Sequence, residues 1–223
     1  MSETPTPQLA QWTSDFGRSY TDRNTMTADE MDSAFATQFG LRKSAIYHEL
    51  VGPARLPAGR ALEVGCNIGL QLELLAKANP ALELHGVEPQ EYARERATAR
   101  LPRMHFHAGD AFQLPFPDGA FDLVFTHGVL IHIDPGHLPR ALAEIARVSA
   151  RYVLCHEYYA RETVAIRYHG QEGLLWKTNF AMRYREVAPA LREVAVRFYP
   201  YSDECGGPDL VDQVALLEKD SPA

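Results

Sequence analysis

A glycine turn, two carboxylates and a histidine stand at the ends of separate apolar runs, and each suits contact with a nucleotide-like ligand. Ala61-Leu62-Glu63-Val64-Gly65-Cys66-Asn67-Ile68-Gly69-Leu70 reads as a strand entering a turn that opens a helix. Gly65 lets the backbone approach a ligand with no Cβ in the way, Asn67 tolerates a left-handed conformation, and Gly69 permits close packing at the helix start. Glu88 lies 19 residues beyond Gly69, where an acidic side chain can accept both hydroxyls of a ribose. Asp110, in Ala108-Gly109-Asp110-Ala111-Phe112, is placed to accept from an exocyclic amine. His127 follows a fourth run and is a candidate general base. Glu157, Tyr158 and Tyr159 close a fifth and offer a carboxylate and aromatic faces to a cationic nitrogen, which makes Glu157 and Tyr159 the other catalytic candidates. A dinucleotide fingerprint asks for G-x-G-x-x-G, but Asn67 and Leu70 occupy its second and third glycine positions. A pyrophosphate then loses its close approach, so an NAD-dependent oxidoreductase is the weaker reading.

The elements that must position these groups alternate. Apolar runs at Ala61–Val64, Leu84–Glu88, Met104–Ala108, Phe121–Thr126 and Tyr152–His156 read as buried strands. Helix-length stretches separate them: Gly69–Ala78, Gln90–Leu101 and His137–Ser149. Strands alternating with helices imply a doubly wound, mostly parallel sheet. Val194–Tyr199 and Val214–Lys219, joined by a turn-rich stretch at 202–208, add an antiparallel hairpin whose second strand ends the sheet. Residues 1–60 read as helical. Trp12, Phe16 and Tyr20 recur every four residues, Thr27 and Glu30 form a capping box, and Met31, Phe35 and Phe39 continue an apolar face until Gly40. This segment is expected to be a lid or cap on a domain spanning 61–223. Within that domain residues 157–190 read as an irregular, aromatic-rich excursion. Ten of the chain's 22 aromatic residues fall between 152 and 201, which suits a small-molecule pocket.

Composition narrows the partners. The chain of 223 residues carries a formal net charge of −7, so it gains no counterion-release affinity for nucleic acid and adheres poorly to an anionic membrane surface. No apolar run approaches the roughly 20 residues of a membrane span, and the start lacks a signal-peptide layout. Cys66, Cys155 and Cys205 lie far apart with no C-x-x-C pair, so neither a metal site nor a disulfide framework is expected, and the cytoplasm is the expected compartment. His85, His105, His107 and His132 read as structural or exposed side chains.

Taken together, Glu63-Val64-Gly65-Cys66-Asn67-Ile68-Gly69, Glu88-Pro89, Gly109-Asp110-Ala111 and Phe121-Asp122-Leu123-Val124 make residues 60–156 resemble a class I S-adenosylmethionine-dependent methyltransferase. Over nearly the whole chain, Trp12, Phe16-Gly17, Tyr20, Arg23-Asn24, His156-Glu157-Tyr158-Tyr159, Tyr168-His169-Gly170, Trp176-Lys177, Asn179-Phe180-Ala181 and Leu216-Leu217-Glu218-Lys219 are similar to the methylases associated with pseudaminic acid biosynthesis. The similarity departs at His169, where that branch has Arg, and at Val214-Ala215, where it has a bulkier aromatic pair. The resemblance implies a Rossmann-like seven-stranded sheet, S-adenosylmethionine as methyl donor and S-adenosylhomocysteine as product. It places Gly65, Cys66, Asn67 and Gly69 around the methionine part of the donor, with Glu88 and Pro89 at the ribose and Asp110 with Ala111 at the adenine. Tyr20, Arg23 and His127 complete the contacts. Glu157, Tyr158, Tyr168, Trp176, Lys177 and Asn179 would face the methyl acceptor. The Glu157 cluster and the acidic balance favour nitrogen of an amine, guanidine or amino-acid-like metabolite. Oxygen of a sugar-like metabolite, with His127 as base, is the alternative. A lid exchanged between protomers would give a homodimer.

Overall fold

The computed structural model describes residues 5–168, 170–201 and 210–220; His169, Cys205 and the turn at 202–208 lie outside them. Five strands, β1 (Gly59–Val64), β2 (Leu82–Glu88), β3 (His105–Ala108), β4 (Phe121–His127) and β5 (Ser149–Tyr158), run parallel in the order β3-β2-β1-β4-β5. The last strand of the chain, β9 (Val211–Lys219), pairs antiparallel with β5, and β8 (Leu191–Pro200) pairs antiparallel with β9 at the edge. This is the Rossmann-like seven-stranded sheet. Helices α5 (Leu70–Ala78), α6 (Glu91–Arg100) and α7 (Leu138–Val148) connect the parallel strands.

Both faces of the sheet are covered, which explains the unbroken apolar runs. Neighbouring residues divide between two cores: Leu62, Val124, Val153 and Leu217 face one, and Ala61, Leu123, Leu154 and Leu216 face the other. Alternate strand residues point to opposite sides, so an apolar pair at each step serves both layers.

The first sixty residues form α1 (Pro7–Trp12), α2 (Asp15–Arg23), α3 (Ala28–Phe39) and α4 (Lys43–Val51). Trp12 and Tyr20 do not share one helix. Ser14 caps α2, its Oγ accepting from the Phe16 amide at 3.2 Å, and so breaks the run. The rings still meet, with Trp12 5.2 Å from both Phe16 and Tyr20. The Thr27–Glu30 capping box is present, and Gly40 ends α3 in the left-handed conformation. Ile46, Tyr47, Leu50 and Val51 of α4 are buried in the same core as Ala61 and Leu72. The segment lying over the sheet's loops is therefore α1 with α2, while α3 and α4 share the sheet's core.

Residues 157–190 are more regular than the sequence suggests. Strand β5 runs on through Tyr158, then β6 (Val164–Tyr168) and β7 (Gln171–Lys177) form a hairpin, followed by α8 (Phe180–Val187). No helix among the described residues is long and apolar enough to cross a membrane.

Candidate active site

The sheet order reverses between β1 and β4, and an open α/β sheet binds ligands at such a switch point, beyond the carboxyl ends of its strands. A cavity of about 220 Å³ lies there. Its walls include the loop at Val64–Ile68, Glu88 to Gln90 after β2, Asp110 to Phe112 after β3, and His127 to Val129 after β4, with Trp12, Gly17, Tyr20 and Asn24 above.

The loop after β1 is built on positive φ angles: Gly65 at 73°, Asn67 at 46° and Gly69 at 79°. A Cβ on Gly65 would meet Val129 Cγ2 at 2.6 Å, so only glycine lets β1 and β4 open the cavity between them. Gly69 caps α5 and packs on Leu101 and Phe106; it does not line the cavity. The Cys66 thiol rests on Gly86, and burial drives its pKa well up, so it stays protonated.

Glu88 is buried, and each carboxylate oxygen takes one amide: Oε2 from Asn67 and Oε1 from Gln90, both at 3.0 Å. Each oxygen keeps a second acceptor position. Burial raises the Glu88 pKa and the two amides oppose that rise. Asp110 accepts the Phe112 and Gln113 amides at 2.7 and 3.2 Å, both on Oδ1, which fixes the turn that brings Ala111 to the cavity.

Two charged residues in this region were not anticipated as site residues. Glu63, at the end of β1, lines the cavity; it is buried, its Oε2 has no hydrogen-bond partner, and burial raises its pKa far above the carboxylate range. Lys43 of α4 is buried with Nζ 2.7 Å from His127 Nε2 and 4.9 Å from the Phe35 ring centre. Burial lowers the Lys43 pKa, against the charges of Asp212, Glu63 and Asp32. His127 is consequently held well below the usual histidine pKa, by its own burial and then by Lys43 and His156. His156, whose ring centre is 4.5 Å from that of His127, bonds Asp212 Oδ2 at 2.9 Å.

His132, expected to be structural, also lines the cavity. Its Nδ1 is 2.6 Å from the Leu174 carbonyl, and its ring lies 4.6 Å from Trp12 and 5.1 Å from Tyr168. A carbonyl only accepts, so Nδ1 carries the proton and Nε2 is the basic nitrogen.

A chain of side-chain amides ties α1 and α2 to the loops. Gln90 Nε2 donates to the Trp12 and Ser14 carbonyls at 3.1 and 3.3 Å, and Thr21 Oγ1 donates to Gln90 Oε1 at 3.3 Å. Asn67 Nδ2 donates to Thr21 Oγ1 at 2.9 Å and Asn24 Nδ2 to Asn67 Oδ1 at 3.1 Å.

Most residues expected around a cofactor therefore meet: Tyr20, Gly65, Cys66, Asn67, Glu88, Pro89, Asp110, Ala111 and His127. Arg23 does not; it is exposed on α2, 5.9 Å from the Tyr20 ring. The acceptor-side residues diverge more. Glu157 is buried beneath the short helical turn at Leu130–His132 and accepts the Val129 and Ile131 amides at 3.2 and 3.3 Å. Burial pushes its pKa up to about 7 against those bonds. Tyr159 lies against exposed Phe198 and Tyr158 against Tyr201. Trp176 and Lys177 belong to β7, and Asn179 caps α8 while accepting from Gln213 at 2.9 Å. None of these lines the cavity; Tyr168 reaches its wall through His132.

Residues 61–151 match the family model of a methyltransferase domain. An uncharacterised methyltransferase of Schizosaccharomyces pombe is 38% identical over 112 residues, 44% of this chain and 39% of that protein. The 27-O-demethylrifamycin SV methyltransferase of Amycolatopsis mediterranei is 34% identical over 113 residues, 47% of this chain and 41% of that protein. In both, less than half of the relative is matched. The fold of the chain superposes on the 1,6-didemethyltoxoflavin-N1-methyltransferase of Burkholderia thailandensis, solved with 1,6-didemethyltoxoflavin and S-adenosylhomocysteine. The TM-score is 0.69 at 19% identity, covering 99% of this chain and 92% of that one.

Proposed function

We propose that the chain is an S-adenosylmethionine-dependent methyltransferase acting on nitrogen of a small, flat metabolite. The observation that carries this reading is the convergence of Glu88, Asp110 and the unpartnered Glu63 oxygen on one cavity at the sheet's switch point. The donor set fits the group. Glu88 would accept the ribose hydroxyls with its remaining lone pairs, Asp110 and Ala111 would hold the adenine, and Glu63 would face the positive end. Asn67 fits poorly with a dinucleotide, because its side chain is committed to Thr21 and Asn24 where a pyrophosphate needs bare backbone. The chemistry supplied by the cofactor is a methyl group already activated on a positively charged sulfur.

The chain's own residues then have three tasks. Trp12, Gly17 and Tyr20 cover the cavity and exclude water, held by the Gln90 and Asn67 amides. Trp12, Met31, Phe112 and Ile133 give the acceptor an apolar, aromatic wall. His132 takes the acceptor's proton at Nε2, since its Nδ1–H is committed to Leu174. His127 does not suit the base role expected of it, because Lys43 occupies its Nε2 and disfavours the imidazolium.

A cationic amine or guanidine acceptor needs the Glu157 carboxylate, and the oxygens of Glu157 are spent on backbone amides. A sugar-like acceptor would leave hydroxyls against the apolar wall. The test is incubation with S-adenosylmethionine and a pool of small metabolites, read by mass spectrometry. S-adenosylhomocysteine should accumulate together with a nitrogen heterocycle one methylene unit heavier. A product methylated on a sugar hydroxyl would replace this reading.

A further inference from the structure

Away from the cavity, β2 and β3 carry a ladder of four chemistry-bearing side chains. Glu83 and His85 are two residues apart on β2, and His105 and His107 two apart on β3, so each pair shares a face. His85 stands opposite His105 in the parallel register, and β3 is the edge of the sheet. The His85 ring lies 4.7 Å from His105 and 5.4 Å from His107, nearly parallel to both. Glu83 Oε1 is 2.9 Å from His85 Nε2 and 3.8 Å from His105 Nε2, and all three atoms fall within 4.8 Å of one another.

We infer that Glu83, His85 and His105 form a binding site for a zinc-class divalent ion, with His107 orienting His85 from behind. Tetrahedral zinc, with bonds of about 2.0–2.2 Å, sets its ligands roughly 3.3–3.6 Å apart. The Glu83–His85 pair must open slightly and the other pairs close by something on the order of an ångström. The Glu83 and His105 side chains are 53% and 56% exposed and have room to rotate, whereas His85 is buried and fixes where the ion sits. His85 Nδ1 lies 3.1 Å from His107 Nε2. Donation of that N–H to His107 turns the Nε2 lone pair toward Glu83 and the ion, the outer contact that ligating histidines use.

Two imidazoles and a carboxylate are the donor set of borderline divalent ions. The opposing charge is Arg60, which lies 4.8 Å from the Phe121 ring centre and donates to the Ala120 carbonyl. A fourth coordination position would be left to solvent. An ion here would pin edge strand β3, which leads into Asp110, against β2.

The site is independent of the methyltransferase reading and is tested with the metal alone. Untagged protein is titrated with zinc chloride by calorimetry and with cobalt chloride by visible absorption. One zinc per chain, the visible band of tetrahedral cobalt and a zinc-dependent rise in Tm are expected. A Glu83→Gln, His105→Asn double variant, altered only at exposed side chains, should lose about tenfold or more in zinc affinity and the Tm rise with it. Failure of the wild type to bind zinc stoichiometrically, or equal affinity in the double variant, overturns the site.

Discussion

The loops after β1, β2 and β3 and the end of β4 surround one opening, with the end of β5 lying behind the β4 side, and the two sides are built differently. On the first side the ligand-facing groups follow from backbone. Gly65 and Asn67 adopt positive φ, and Glu88 and Asp110 sit where a strand stops and a turn begins. On the second side they follow from which way a side chain leaves a long strand. Glu157 is still inside β5, in register with Gln213 of β9, and lies on the face of Val153 and Cys155, four and two residues before it. Its carboxylate turns under the 130–132 turn and caps it, away from the cavity. Loop-borne groups are held by local chemistry, whereas strand-borne groups depend on how far pairing extends.

The largest expected effect lies on the second side. His132→Gln should lower kcat roughly 10²- to 10⁴-fold as a lost general base, with S-adenosylhomocysteine affinity near wild type. His127→Asn should cost less, because Lys43 already occupies the ring nitrogen. The opposite ranking would return the base role to His127. On the first side, Glu88→Ala removes a charged hydrogen-bond acceptor, and a net loss of about 1.5–3 kcal/mol should lower S-adenosylhomocysteine affinity roughly 10- to 100-fold. An unchanged dissociation constant by calorimetry would remove Glu88 from the ribose.

The smallest effect on ligand binding is expected at Glu157, where the difference appears in stability. Its pKa, about 7 in the folded chain, is raised from 4.5, so the neutral form is the one the fold favours. That stability is present below the unfolded value and is lost as pH rises through 7. Wild type should lose roughly 3 kcal/mol more than Glu157→Gln between pH 5 and 8. Denaturant titrations at the two pH values measure this, and parallel pH dependences would show that Glu157 does not titrate as a buried cap.

The parallel sheet and the glycine loop were legible because each announces itself locally: apolar runs of strand length, a turn that needs positive φ, and an acid one helix and one strand further on. Boundaries were harder to read. β5 continues to Tyr158 because β9 pairs with it, and nothing near Tyr158 marks where that pairing ends. Lys43 carries a weaker signal. It falls with Ile46, Tyr47 and Leu50 at helical spacing, a lone charge on an otherwise apolar stripe. Glu63 stood in plain view inside a buried strand, a position where a carboxylate costs stability unless a cation or ligand faces it. His132, between Ile131 and Ile133, looked like core. Only the folding of the β6–β7 hairpin against it, through Leu174 and Tyr168, brings it to the cavity wall.

The proposed function requires a strand-end cavity that takes an adenosyl cofactor with a positive end and not a dinucleotide. Calorimetric titration of the wild-type chain with S-adenosylmethionine, S-adenosylhomocysteine and NAD tests it most directly. Saturable one-to-one binding of both adenosyl ligands, weakened by Glu88→Ala and by Glu63→Gln more for the charged donor than for its product, with no binding of NAD, is the predicted result. Saturable NAD binding without binding of either adenosyl ligand would contradict it.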